Sequence, residues 1–141
     1  MKTIEIYNDR FGNEIHLSAH LGDTKVDISQ IPYATEVYSG GDKLECNECE
    51  ETPEGIIATI SKMMLTDAEY NAESYEQLVE DVRGNTWEDC PDYMRYLYGG
   101  TPEGFEDAIK QTCKSYAETV EGYRERAARL RAFPGLSVNQ K

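Results

Sequence analysis

The sequence predicts an α+β fold: an N-terminal antiparallel sheet of three to five strands, followed by three or four helices with a long C-terminal helix. Three observations carry this expectation. Apolar and polar residues alternate in the first third of the chain, the apolar period changes to steps of three and four after Thr52, and Thr-Pro-Glu strings at 52–54 and 101–103 mark helix starts. A single domain is expected over residues 1–141, with 1–51 mainly β, 52–132 mainly α and 133–141 a tail. A chain of this size buries about 68–70% of the surface its unfolded form exposes, enough for a core without disulfides or metal.

Ile4 and Ile6 alternate with Thr3, Glu5 and Tyr7, and a turn cluster spans Asn8 to Asn13. Ile15, Leu17, Ala19 and Leu21 then alternate with His16, Ser18 and His20, so the two runs form a hairpin. Gly22-Asp23 turns the chain again, and Val26 and Ile28 around Asp27 complete a three-stranded meander. A further hairpin is read from Glu36-Val37-Tyr38, the turn Ser39 to Asp42, and Lys43-Leu44-Glu45.

Thr52, Pro53 and Glu54 supply an N-cap, a first-turn proline and an acid suited to the helix dipole, ahead of Ile56, Ile57, Ile60, Met63 and Met64. This predicts a helix over 53–65. Thr66 with Glu69 and Ser74 with Gln77 have capping-box spacing, leaving open one helix over 67–83 or a short turn and a helix from 75. A brief helix is expected from Pro91 to Tyr98, stopped by Gly99-Gly100. The long helix then runs from Pro102 to Ala132. Thr-Pro-Glu-Gly occurs at 52–55 and 101–104, but the residues after the two copies differ, so it reads as a recurring N-cap rather than an internal repeat.

In the long helix Phe105, Ile109, Thr112, Tyr116, Val120, Tyr123, Ala127 and Leu130 draw one apolar stripe. Two readings fit it: packing across the sheet, or a homodimer seam through 105–130. Arg124, Arg126, Arg129 and Arg131 crowd the end of this helix, where cations suit the dipole and can pair with the acidic block of residues 36–92.

The charge is one-sided. Residues 36–92 hold sixteen Asp and Glu against three Lys and Arg, the whole of the net −13, while the remainder cancels at eleven against eleven. Such a chain is repelled by nucleic acid and by anionic lipid, so neither is expected as a direct partner, and basic protein surfaces are. The N-terminus meets charges every few residues and lacks the apolar run of a signal peptide or membrane span, which points to the cytoplasm.

Cys46-Asn47-Glu48-Cys49 has the spacing of half a zinc site, but the other half would have to come from Cys90, Cys113, His16 or His20. Unpaired thiols are therefore expected, with no cofactor, and with Cys46 and Cys49 the weak candidates for a metal. Glu45, Glu48, Glu50 and Glu51 disfavour the thiolate that redox exchange needs. His16 and His20 lie on one strand face about 13 Å apart, too far to share an ion. No nucleophile motif, phosphate loop or His-Glu pair at helical spacing is present, and no enzymatic activity is expected.

If 67–83 is one helix, Glu69, Glu73, Glu76 and Glu80 step by four, three and four along one face, away from Tyr75, Leu78, Val79 and Val82. Like charges at this spacing each cost about 0.2–0.5 kcal/mol, and lysines could interrupt them without loss to the fold. Glu88, Asp89 and Asp92 extend the charge, with Tyr70, Tyr93, Tyr96 and Tyr98 beside it. Tyrosine is a favoured interface residue, although a solvated helix face can carry the same acidic row.

In length, charge, tyrosine content and lack of catalytic motifs, the chain resembles the small acidic inhibitors that phages and mobile elements encode against host defence, the anti-CRISPR and antirestriction proteins. The resemblance covers no stretch of residues by motif, so no functional position is carried over from it. It implies a stoichiometric, non-enzymatic protein in the host cytoplasm that docks on the basic nucleic-acid-binding groove of a nuclease, a CRISPR effector or a restriction enzyme, and blocks it as a DNA mimic. The alternative is a metal-stabilised or dimeric adaptor with no nuclease partner.

Overall fold

A computed structural model describes residues 1–11 and 13–137. The elements are β1 (Lys2–Phe11), β2 (Glu14–Leu21), β3 (Thr24–Asp27), α1 (Ala34–Val37), β4 (Lys43–Cys46), α2 (Pro53–Arg83), α3 (Asp92–Leu97) and α4 (Pro102–Ala132), closed by a 3-10 turn at Pro134–Ser137. The fold is α+β as expected, with an antiparallel sheet in the order β3-β2-β1-β4. The tail expected from 133 begins with that turn, and 138–141 lie outside the described residues, as does Gly12 of the first turn cluster. The chain forms two compact units, one of Met1–Asp67 with the stretch from Arg126, the other Ala68–Glu125.

In the first unit the meander forms as expected, but its first turn is tighter. Asn8 to Phe11 stay in β1 and pair with Leu17 to Glu14 instead of turning. Asp9 supplies the reason, because its carboxylate is held by Ser18 of β2 and by Lys25 of β3 beyond it. One face of the sheet carries Ile4, Ile6, Leu17, Ala19 and Leu21. These join Ile28, Ile31, Ala34, Cys46 and Cys49 with Ile56, Ile60 and Met64 of α2 and Leu130 of α4 in one buried core. Ile15, on the same face by parity, is 66% exposed, so cover ends before the hairpin tip.

The expected second hairpin is not there. Ala34–Val37 is a short helix, and β4 instead pairs with β1, opposite Lys2 to Glu5. The local alternation at 36–38 loses to two tertiary gains: Ala34 is wholly buried, and β4 fills the open edge of β1. Backbone bonds from Ile6 N–H to Asp42 C=O and from Gly41 N–H to Ile6 C=O steer that return. Tyr33 enters α1 with φ 67°, a left-handed conformation that costs a side-chain-bearing residue about 1–2 kcal/mol. Its ring lies beneath the guanidinium groups of Arg126 and Arg129, 5.1 and 5.8 Å from the centroid.

Residues 53–83 form one helix, not two, and neither internal capping box is used. Helix propagation costs less than a new start, and the buried stripe Ile56, Ile60, Met64 continues without interruption as Ala68, Ala72 and Val79. Both Thr-Pro-Glu-Gly strings are helix starts. Thr52 and Thr101 each accept a bond from the glycine N–H three residues on, at 3.0 Å. A Cβ on Gly55 would approach the Glu50 carbonyl to 2.8 Å, so the string needs its glycine for room.

In the second unit the apolar stripe of α4 has Phe105 and Val120 buried and Ile109, Thr112, Tyr116 and Tyr123 half-buried. Phe105 meets Trp87 and Tyr98 edge-on, while Tyr116 and Tyr123 pack on Tyr75 of α2 at 5.7 and 5.9 Å. Only the far end of the stripe, Leu130, belongs to the sheet core. Packing with the sheet thus holds for Leu130, while Phe105, Tyr116 and Tyr123 have ring partners within their own unit.

Ser61 of α2 is wholly buried, and its hydroxyl has no hydrogen-bond partner among the described residues. Replacing Ser61 with Ala removes a desolvated polar atom, so urea unfolding is expected to show a gain of about 1 kcal/mol.

Candidate functional site

The continuous α2 brings the acidic row onto one face. Glu73, Glu76 and Glu80 are exposed and Glu69 is half-buried, while Val79 is buried, Tyr75 is half-buried against Tyr116 and Tyr123 of α4, and Val82 is half-buried. The row is partly neutralised. Arg124 of α4 binds Glu76, and Arg83 binds Glu80 at 2.9 Å. Glu73 makes no ion pair among the described residues. Leu78, expected on the core side, is 39% exposed. The unit as a whole holds fourteen Asp and Glu against five Lys and Arg, so it carries −9 of the chain's −13.

Beyond α2, Thr86 and Asp89 cap each other, Thr86 Oγ1 donating to the Asp89 carboxylate at 3.0 Å and accepting its N–H at 3.2 Å. This leads into α3. Glu88, Asp89 and Asp92 are exposed, and Asp92 reaches Arg95 only at 3.6 Å. Tyr93, Tyr96 and Leu97 are 67, 82 and 73% exposed, whereas Arg95 turns inward, its guanidinium 4.9 Å over Trp87 and bonded to the Glu88 carbonyl at 2.9 Å. Tyr98, expected beside the acids, turns inward onto Phe105. Tyr70 is exposed as expected. Sequence reasoning missed Leu97. Its spacing from Tyr93 and Tyr96 was visible, but not that this face points to water.

The cysteine expectation is corrected. Cys46 and Cys49 are joined in a disulfide with Cα atoms 6.0 Å apart, because both side chains are drawn into the same apolar core. Bonded to each other they offer no thiolate to zinc, and among the described residues no group of three or more His, Cys, Asp or Glu could hold a metal. Cys90 and Cys113 are free thiols.

The outer face of the sheet holds a second polar cluster. His16 bridges Asp27 through Nδ1 and Glu14 through Nε2, both at 2.9 Å. Ser18 donates to Asp9 and lies 3.0 Å from His20 Nε2. The residue types are those of a Ser-His-Asp triad, but the geometry is not. Asp9 faces the same imidazole nitrogen as the serine, and Ser18 is wholly buried, away from any substrate. The Lys25 ammonium and the Ser18 hydroxyl hold the Asp9 carboxyl down at about 2. Glu14 raises His16 against the opposing effect of desolvation, with Asp27 adding to it. Asp27 is pushed up by desolvation but falls on balance, through bonds from Ser29 and from His16. Burial, with Asp67 and Asp42 nearby, lifts the Tyr38 phenol to about 12.

Compared with protein-family models, with curated proteins and with solved structures, the chain matches none. The geometry alone defines the class of surface: an acidic helical face with outward tyrosines. Among the described residues no helix is long and apolar enough to cross a membrane.

This chemistry can be checked by two measurements. A histidine raised in the folded state stabilises below its unfolded value, near 6.5, and its contribution is lost as pH rises through the folded value. His16→Gln is therefore expected to destabilise more at about pH 5.5 than at about pH 8.5 in urea titrations, while Asp9 sets the acid limit, its contribution present above about 3.8 and lost toward 2. The disulfide closes so short a loop that chain entropy gives about 2 kcal/mol. A dithiol reductant is expected to lower the melting temperature of the native protein without abolishing the fold, and to leave Cys46→Ala/Cys49→Ala unmoved.

Proposed function

We propose that this is a non-enzymatic acidic protein that binds the basic nucleic-acid-binding groove of a host defence nuclease, a CRISPR effector or a restriction enzyme, and blocks it by occupying phosphate sites. The observation that carries the reading is the unbroken helix through 69–80. It lays Glu69, Glu73, Glu76 and Glu80 along about 16 Å, at about 1.5 Å per residue. Duplex DNA places phosphates every 3.4 Å per strand, roughly five over that length, so a carboxylate row of this extent meets the same Arg and Lys groups. The −9 charge of the second unit supports encounter with such a groove and repels nucleic acid itself. Arg83 and Arg124 already contact the row, so part of the attraction must be won by exchange with these two cations. Action in a host cytoplasm, where thiols are kept reduced, requires the fold to stand without its disulfide.

Purified CRISPR effector and restriction nucleases, titrated with the protein, provide the test. Stoichiometric inhibition of DNA binding is expected for at least one of them, with affinity falling steeply with salt. Glu73→Lys/Glu76→Lys/Glu80→Lys is expected to weaken binding by about tenfold or more, mainly through the association rate. Binding indifferent to both salt and charge reversal would sink the reading.

A further inference from the structure

Helix α3 is built inside out. Tyr93, Tyr96 and Leu97 stand at i, i+3 and i+4, the spacing of one apolar face, and that face is turned to solvent at 67, 82 and 73% exposure. Its cation takes the inward place. Arg95 lies over Trp87 and bonds the carbonyl of Glu88, and α3 buries none of its residues. A helix with six residues has little stability of its own. This one is held by the Arg95 contacts, by the Tyr98 ring on Phe105, and by the Gly100 N–H on the Arg95 carbonyl at 2.8 Å. The two exposed rings are therefore presented on an ordered support, which lowers the entropy a partner must remove on binding.

Resting on the reading of a basic partner, we propose that this face is the docking anchor, and that its occupant is an arginine-rich protein surface in which guanidinium groups, not ammonium groups, are recognised. Charge complementarity selects the occupant. Glu88 and Asp89 just before α3 and Asp92 at its start are exposed, and the Asp92 side chain is fully so. A purely apolar partner would have to desolvate these carboxylates, and an anionic partner meets the −9 of the unit. Arginine alone among cations stacks a flat face on a ring while its N–H fork reaches a carboxylate beside it. The chain uses the same chemistry on itself, with Arg95 over Trp87 and paired to Asp92.

The probes are nona-arginine and nona-lysine peptides, titrated into the full chain at near-physiological salt and followed by fluorescence anisotropy. Nona-arginine is expected to bind about tenfold more tightly than nona-lysine, since two ring stacks are in play. Tyr93→Ser/Tyr96→Ser should erase that preference by bringing nona-arginine down to the level of nona-lysine, and Tyr93→Phe/Tyr96→Phe should keep it. Because both tyrosines are exposed, circular dichroism is expected to show the variants folded. Equal binding of the two peptides by the native chain, or a preference that survives loss of the rings, overturns the inference and leaves the basic-partner reading standing. Failure of both peptides to bind overturns both. Native self-association in sedimentation velocity, abolished in Tyr93→Ser/Tyr96→Ser, would assign the face to a second copy and overturn the inference.

Discussion

The apolar face formed by Ile4 and Ile6 on β1 with Leu17, Ala19 and Leu21 on β2 has to leave water, and the strands alone cannot remove it. Each isoleucine or leucine side chain among them gains about 1.5–3 kcal/mol on full burial, so cover for this face dominates the energetics of the first unit. Ile56, Ile60 and Met64 supply that cover at steps of four along α2, and Leu130 adds to it from the end of α4. The same constraint explains what happens to α1 and β4. Once Ala34 and Cys46 are drawn into the core, a second hairpin at 36–45 cannot form, and the two cysteines arrive close enough to bond.

A helix has no freedom to re-aim its later residues once its early ones are placed. The buried stripe of α2 continues as Ala68, Ala72 and Val79, and Glu73, Glu76 and Glu80 are left on a solvated side. The acidic row is in this sense a by-product of helical geometry, but its composition is not. Surface ion pairs such as Arg83–Glu80 contribute little stability, and repulsion among carboxylates detracts from it. The second unit therefore tolerates a charge of −9 and two exposed tyrosines on α3 on the strength of its aromatic packing, with Phe105 at one end and the Tyr75, Tyr116 and Tyr123 cluster at the other. Features that stability does not ask for are the natural place to look for binding.

Much of this was legible in the sequence. Alternation marked β1, β2 and β3 because one side of each faces a core, and the Thr-Pro-Glu-Gly strings marked the starts of α2 and α4 because their capping chemistry is local. The stripe from Phe105 to Leu130 was legible for the same reason, though not what it would meet. The candidate site was half legible. Glu69, Glu73, Glu76 and Glu80 could be placed on one face given one helix, and pairing of the arginines near the end of α4 with the acidic block could be expected, but that Arg124 meets Glu76 joins residues far apart in the chain and was decided by packing.

By itself, the amino-acid sequence determined the fold class, the helix starts and the confinement of negative charge, since each depends on short-range periodicity, capping or composition. Only the tertiary structure decided that 53–83 is one helix, that β4 joins β1, that Cys46 and Cys49 bond, and that Tyr93, Tyr96 and Leu97 face out while Arg95 faces in. Those outcomes rest on competition for buried surface among distant segments. Spacing along the chain names which residues share a face, and only the packed neighbours determine which way that face points.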